Sequence, residues 1–354
     1  MRKFVLGLGA SVLLATNAFA SEWTIPDAVD ATITDAIIPM LIEYEGATED
    51  AVNIIAPLCE APSEENLAAA RASFKNAAKA WGAAEFIRIG PLSAENRLER
   101  TLYWPDRKGR GLRQVQAAIA TEQEEVTTSE SVGGQSVAVQ GFLALDFILF
   151  GTDSDALATG SPHRCSYALA VTQNLNSIAN ELLADWTAGD GIASLWRNPS
   201  ADNPLFRDDT EQLRTLVKLI GDGAEVVLVQ RLDPFLNTDP VNHKRALYWR
   251  SGATIAALQG NVAGLQRISD AARLPDLIRE DRRRIVQGID FELLQAARVL
   301  DGLDRPVEEI AVDEEALGRA RYVRIAVNSV FNLAGTQVPA AFGLTAGFST
   351  LDGD

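Results

Sequence analysis

Histidine, cysteine and methionine each occur only twice in the 354 residues, and that scarcity removes whole classes of chemistry. His163 and His243 are little material for a metal centre or for acid–base work, and neither stands in an HExxH pair. GxSxG, a Walker loop and a dinucleotide fingerprint are also missing, so the usual enzyme signatures are absent. Basic residues are outnumbered, 32 Lys and Arg against 48 Asp and Glu, for a formal charge of −16. A chain of that sign is a poor partner for nucleic acid or an anionic membrane surface. The acidic balance is compatible with cation handling, although solubility alone explains it in many exported proteins. Past the first 20 residues no apolar run reaches the roughly 18 residues of a membrane helix, so no membrane insertion is expected.

What is present begins with an export signal. Arg2 and Lys3 precede a short apolar run from Val5 to Ala15, and Ala18-Phe19-Ala20 supplies a small-x-small cleavage pattern. No Cys follows that run, so no lipoprotein anchor is expected. The reading is a cleaved signal over residues 1–20 and a soluble mature chain in a bacterial periplasm. Loss of Arg2 and Lys3 leaves 30 basic residues against 48 acidic ones, a mature charge of −18. In an oxidising compartment Cys59 and Cys165, with no CxxC, point to one structural disulfide, the alternative being two buried free thiols.

Nearly every periodic segment reads helical. Leu67, Ala70, Phe74, Ala77, Trp81, Ala84 and Arg88 recur at three- and four-residue steps, with Ser63 as N-cap and Gly90-Pro91 as the stop. Further helices are predicted over 26–58, 108–121, 136–150, 162–187, 208–232, 243–268, 275–302 and 307–333, with a capping box at Asp208 and Glu211. The run 121–134 reads as a solvated, mobile connection. Leu-Tyr-Trp occurs at 102–104 and again at 247–249, and "ALDFILF" (144–150) aligns with "GIDFELL" (288–294) at almost the same offset. Two matches in one order favour a duplication. The expected fold is all-α: two related antiparallel helical bundles, 21–190 and 208–354, joined by a Trp/Pro/Asn-rich linker at 191–207.

One residue stands out against its surroundings. In "GFLALDFILFG" (141–151) Asp146 is the lone polar side chain, and an unpaired buried carboxylate is costly. The pieces "PLCEAPSEENL", "YWPD" (103–106), "GFLALDFILFG", "CSYALAVTQNL", "LYWRSG" (247–252) and "AFGLTAGFSTLDGD" occur in an order that resembles the imelysin family of exported bacterial proteins. The resemblance spans essentially the whole mature chain. It implies two related helical bundles with a cleft between them and an association with bacterial iron uptake. It also implies a metallopeptidase classification that rests partly on a G-x-H-x-x-E motif.

Here Gly141 keeps the glycine of that motif, but Leu143 stands in the His position and Asp146 in the Glu position. Leu143 offers no lone pair, and a lone Asp is a poor ligand for zinc or iron. Hydrolysis is therefore not expected, and no residue is assigned a catalytic role. Asp146 is left as a weak metal ligand at best, with iron or another divalent metal the cofactor class still open. Two readings of Asp146 follow. In one it forms a buried ion pair with Arg88, Arg100 or Arg250, since arginine suits planar two-point pairing. In the other it is a polar fixture of the inter-bundle cleft, contacting a small ligand or metal complex. Gly141, Trp104, Asp106, Tyr248, Trp249, Arg250 and Ser251 would then be its companions. The expected partner is an unidentified small ligand or a periplasmic or membrane transport protein. A metallopeptidase with displaced ligands and an interaction module of a transport complex are the alternatives. The aspartates of 151–160 lack the later ligands of a calcium loop, and the basic run 279–284 reads as a solvated helix face.

Overall fold

The computed structural model describes residues 23–344. The expected export signal at 1–20 and the closing residues 345–354 of the family-like tail lie outside the described residues. Among the described residues every regular element is helical and none is a strand, in line with the all-α expectation. The long helices are α1 (Ile38–Glu60), α2 (Glu64–Ala84), α3 (Arg110–Ala120), α4 (Phe142–Phe150), α5 (Pro162–Thr187), α6 (Asp209–Glu225), α7 (Thr254–Ala272), α8 (Arg283–Asp301) and α9 (Glu314–Asn332). π-Helical turns at Thr32–Ile37, Val226–Leu232 and Leu333–Gln337 extend three of them.

Helix α1 packs on α2 and α5, and α4 lies against α2 and α5. In the C-terminal half α8 packs on α9 and α7, and α9 on α6. The apolar face predicted for α2 is buried from Leu67 to Ala84. The Ser63 hydroxyl accepts the Asn66 N–H at 3.1 Å, and Asp208 accepts the Glu211 N–H at 2.9 Å, so both predicted caps form. Cys59 at the end of α1 is bonded to Cys165 in the first turn of α5, with the Cα atoms 5.4 Å apart. Closing a loop of 106 residues stabilises by about 4 kcal/mol in the chain-entropy treatment.

The two halves meet where α2 crosses α7, and small residues let the backbones touch. A Cβ on Gly260 would lie 2.0 Å from the Lys79 carbonyl oxygen, and one on Gly264 would lie 2.3 Å from that of Ala83. Between them the Asn261 amide donates to the Gly82 carbonyl at 2.7 Å and to Glu85 Oε1 at 2.7 Å. Arg231 completes the node, its Nε donating to Glu85 Oε1 at 3.2 Å and its Nη2 to Glu85 Oε2. Glu85 and Arg231 are both buried, so the desolvation of each is offset by a two-point partner.

Several boundaries differ from the sequence expectation. Helix α2 ends at Ala84, before the predicted Gly90-Pro91 stop, where Glu85 turns into the node just described. Residues 243–253 are a short 3₁₀ turn and loop instead of helix, because Tyr248 takes a left-handed backbone (φ 61°). The run 121–134 is not a solvated tether: it forms the short turns Glu124–Val126 and Ser129–Gly133, docked through buried Val126 and Val132. The connection at 191–207 includes a helix, Ile192–Arg197, and buries Trp196 against Phe206 with ring centroids 5.8 Å apart.

Candidate functional site

Helix α4 is apolar on nearly every side because most of it is buried. Phe142 and Ala144 through Leu149 are inaccessible, Asp146 among them at 2 % exposure. Its first residue is placed by Gly141, where a Cβ would come within 2.5 Å of the Arg100 and Thr101 carbonyl oxygens. That contact forbids a side chain and starts the helix at Phe142, six residues later than the periodicity predicts. The unpaired carbonyls at its other end are taken by two arginines. Arg164 donates to the Phe147 and Ile148 carbonyls at 3.0 and 2.9 Å, and Arg71 donates to that of Leu149 at 2.8 Å. Positive charge at a helix C-terminus also complements the macrodipole.

A cavity of about 680 Å³ opens beside this helix. Leu143 and Asp146 share the helix face that lines it, three residues apart. The N-terminal half contributes Tyr103 and Trp104 and the C-terminal half Tyr248 and Trp249, so both Leu-Tyr-Trp segments reach one cavity. Trp104 Nε1 bridges the halves by donating to the Gln230 carbonyl at 2.8 Å. Tyr248 does so by packing its ring edge-on against Phe74 (5.5 Å) and against Phe142 (6.2 Å). This packing holds a left-handed backbone that a non-glycine residue does not adopt without cost.

Of the three arginines weighed as partners, the structure brings Arg250 to Asp146, Nη1 to Oδ2 at 4.0 Å. Arg250 lies over the Trp249 ring (4.6 Å) and the Phe147 ring (5.8 Å), which fixes its plane. Arg100 donates elsewhere, to Gln140 at 3.2 Å and Asn174 at 3.4 Å. Arg88 lines a neighbouring crevice with Glu85, Glu99 and Arg231. Ser251 is buried next to Asp146, its hydroxyl donating to the Tyr248 carbonyl at 3.1 Å. Asp106 lines the cavity, but its two oxygens accept the Gly111 and Leu112 N–H groups at 3.1 and 3.0 Å, so it caps α3.

Asp146 therefore has one weak ion pair, and its Oδ1 has no hydrogen-bond partner. Burial pushes its carboxyl up to about 6, with Ser251 and the Arg250 charge pulling the other way. The Tyr248 hydroxyl is likewise buried without a partner, and burial raises it far above the ordinary phenol value. The donor set does not fit a resident zinc or iron ion. Leu143 has no lone pair, and among the described residues no three His, Cys, Asp or Glu side chains gather around a common point. His163 Nε2 instead meets the Gln123 carbonyl at 2.8 Å, and His243 packs edge-on against Trp249.

Sequence reasoning missed the charges at the cavity mouth. Arg107, Lys108, Lys244 and Arg245 all line it. The signal was legible in "YWPDRKGR" and "HKRALYW", where basic residues flank both Leu-Tyr-Trp segments. The Glu85–Arg231–Asn261 node was missed as well, since nothing local marks its members.

A family model described as Imelysin matches residues 37–337. The fold is similar to that of an imelysin-like protein from Psychrobacter arcticum 273-4, with a TM-score of 0.74 at 18 % identity, over 92 % of this chain and 97 % of that one. It is also similar to a putative iron-regulated protein A precursor from Parabacteroides distasonis ATCC 8503. There the TM-score is 0.69 at 14 % identity, over 90 % of this chain and 96 % of the other. No curated protein matches the sequence. At these identities the two likenesses establish the fold.

Proposed function

The chain belongs to the imelysin family, and from that premise we propose that it is an exported, non-hydrolytic binding protein of bacterial iron acquisition. Its ligand is held in the cavity between an N-terminal bundle (21–190) and a C-terminal bundle (208–354). The observation that carries this reading is the pair Leu143 and Asp146 on the cavity wall. The apolar side chain removes the imidazole a hydrolytic metal would need, while Asp146 keeps in the cavity wall a carboxylate with one buried, unpartnered oxygen. The iron-related role is drawn from the family and from the name of one structural relative. Export is drawn from residues 1–20. An interaction module without a ligand would call for a closed, dry surface where this cavity opens.

Two measurements test the proposal. The purified protein, supplied with zinc or iron, is expected to retain no stoichiometric metal and to cleave no peptide. Metal-dependent cleavage that disappears in Asp146→Ala would overturn the non-hydrolytic assignment. Deletion of the gene in its own bacterium is expected to slow growth under iron limitation, and unchanged growth there would remove the iron role.

A further inference from the structure

The mouth of the cavity carries a charge opposite to that of the protein. Arg107 and Lys108 stand on the lip from the N-terminal half, and Lys244 and Arg245 on the lip from the C-terminal half. Arg250 lies deeper, over Trp249. Three acids share the lining. Asp106 is committed to the amides of α3, and Asp233 is paired with Arg324 at 2.6 Å. Asp146 is buried behind Arg250 at 4.0 Å. No acid faces the four lip cations, and none of the four forms an ion pair among the described residues. Elsewhere on this chain exposed arginines do find carboxylates, as Arg197 does with Asp30 at 2.6 Å and Arg267 with Glu43 at 2.8 Å. Other exposed basic residues, Arg283 and Arg284 among them, also lack an ion pair; what sets these four apart is that they surround one opening in a protein with 48 acidic residues against 32 basic ones.

We infer that the cavity receives a small organic polyanion, a compound with two or more carboxylate or phosphate groups, and that the two lips bind it jointly. The inference rests on the ligand-binding reading above and narrows it. A bare metal cation would meet like charge at the lips and no gathered donors inside. An anion gains five donors of the type that pairs with oxyanions. The field of a cleft lined by one sign draws such a ligand in against the net charge of the protein. Tyr103 and Trp104 supply aromatic surface for its organic part. The volume lies within the range of small-molecule sites. Should the iron role hold, metal would reach this cavity within an anionic chelate.

Isothermal titration with citrate, ferric citrate and fructose 1,6-bisphosphate tests the inference and separates carboxylate from phosphate and free acid from metal complex. At least one of the three is expected to bind. Its affinity should fall at least tenfold in Lys244→Glu/Arg245→Glu and severalfold between about 50 and 300 mM salt. Arg283→Glu/Arg284→Glu makes the same charge change on exposed residues of α8 and is expected to leave affinity unchanged. All substituted side chains are exposed, so the variants should fold, which circular dichroism would verify. No binding of any of the three anions, or equal losses in both double variants, overturns the inference. Spermidine and glucose serve as cationic and neutral probes. If one of them binds in place of the anions, and Leu143→Trp, which narrows the cavity beside Asp146, abolishes it, the polyanion class fails while the ligand site stands. If no compound of any charge binds, the ligand-site reading falls with it.

Discussion

Two segments of this chain match in sequence, "GFLALDFILF" at 141–150 and "IVQGIDFELL" at 285–294, yet they do opposite work. The first forms α4, largely buried, with Asp146 beneath Arg250 and its Oδ1 unpartnered. The second lies within the surface helix α8. There Asp290 is only partly buried and accepts the Ser269 hydroxyl at 2.6 Å, while Phe291, the counterpart of Phe147, is 58 % exposed. The same contrast holds for the flanking residues. Gly141, pressed onto two carbonyls, corresponds to Ile285, and cavity-lining Leu143 corresponds to Gln287. An Asp-Phe pair on a helix is thus no site in itself. What distinguishes the first segment is the neighbour brought to it from the other half, the loop 248–251 with its left-handed Tyr248.

Substitutions at paired positions sharpen this contrast. Phe147 is buried under the guanidinium groups of Arg164 and Arg250, so Phe147→Ala should cost about 3–5 kcal/mol. Phe291→Ala should stay within about 0.5 kcal/mol. Urea unfolding of both variants provides the comparison, and equal losses would mean that the two helices are not differently packed. Next in size, Gly141→Ala forces a methyl group against backbone that cannot rotate away. A loss of about 3 kcal/mol is expected, whereas Ile285→Val should cost less than about 1 kcal/mol. A neutral Gly141→Ala would show that α4 can slide along its neighbours.

Much of the scaffold was legible because it depends on local period and local caps. The α2 face, Ser63 and Asp208 all act where a helical reading places them. Asp146 was legible as an anomaly of polarity, and Arg250 as one of three possible partners. Choosing Arg250 over Arg88 and Arg100 required knowing that residues 243–253 leave the helical path at Tyr248, which no propensity of tyrosine reveals. The lip cations escaped for a related reason. Read as helix, Lys244 and Arg245 belong to a solvated face. Placed on a loop opposite Arg107 and Lys108, they complete a ring built from residues about 140 apart in sequence. The early end of α2 was hidden in the same way, since Glu85 answers to Arg231 and Asn261 in the other half.

The effect that depends on pH bears most directly on the two aspartates. Burial holds the Asp146 carboxyl at about 6 in the folded protein, above the roughly 3.9 of an unfolded chain. Between these values the folded state binds more protons than the unfolded one, so stability falls as pH rises from about 4 through 6 and is level above that. Asp146→Asn mimics the protonated form at every pH. It should match wild type near pH 4 and exceed it by up to about 3 kcal/mol at pH 8, the gap opening across that window. Asp290 is also raised by burial, with the Ser269 hydroxyl opposing the shift and the Asp270 charge adding to it. Asp290→Asn should therefore show a gain of the same sign but smaller, since the ionised Asp290 already has a donor and partial access to water. Urea denaturation of both variants from pH 4 to 8 measures the two gaps. No gain in Asp146→Asn at pH 8 would mean that the carboxylate finds a partner in solution, and equal gaps in the two variants would erase the distinction between the two segments.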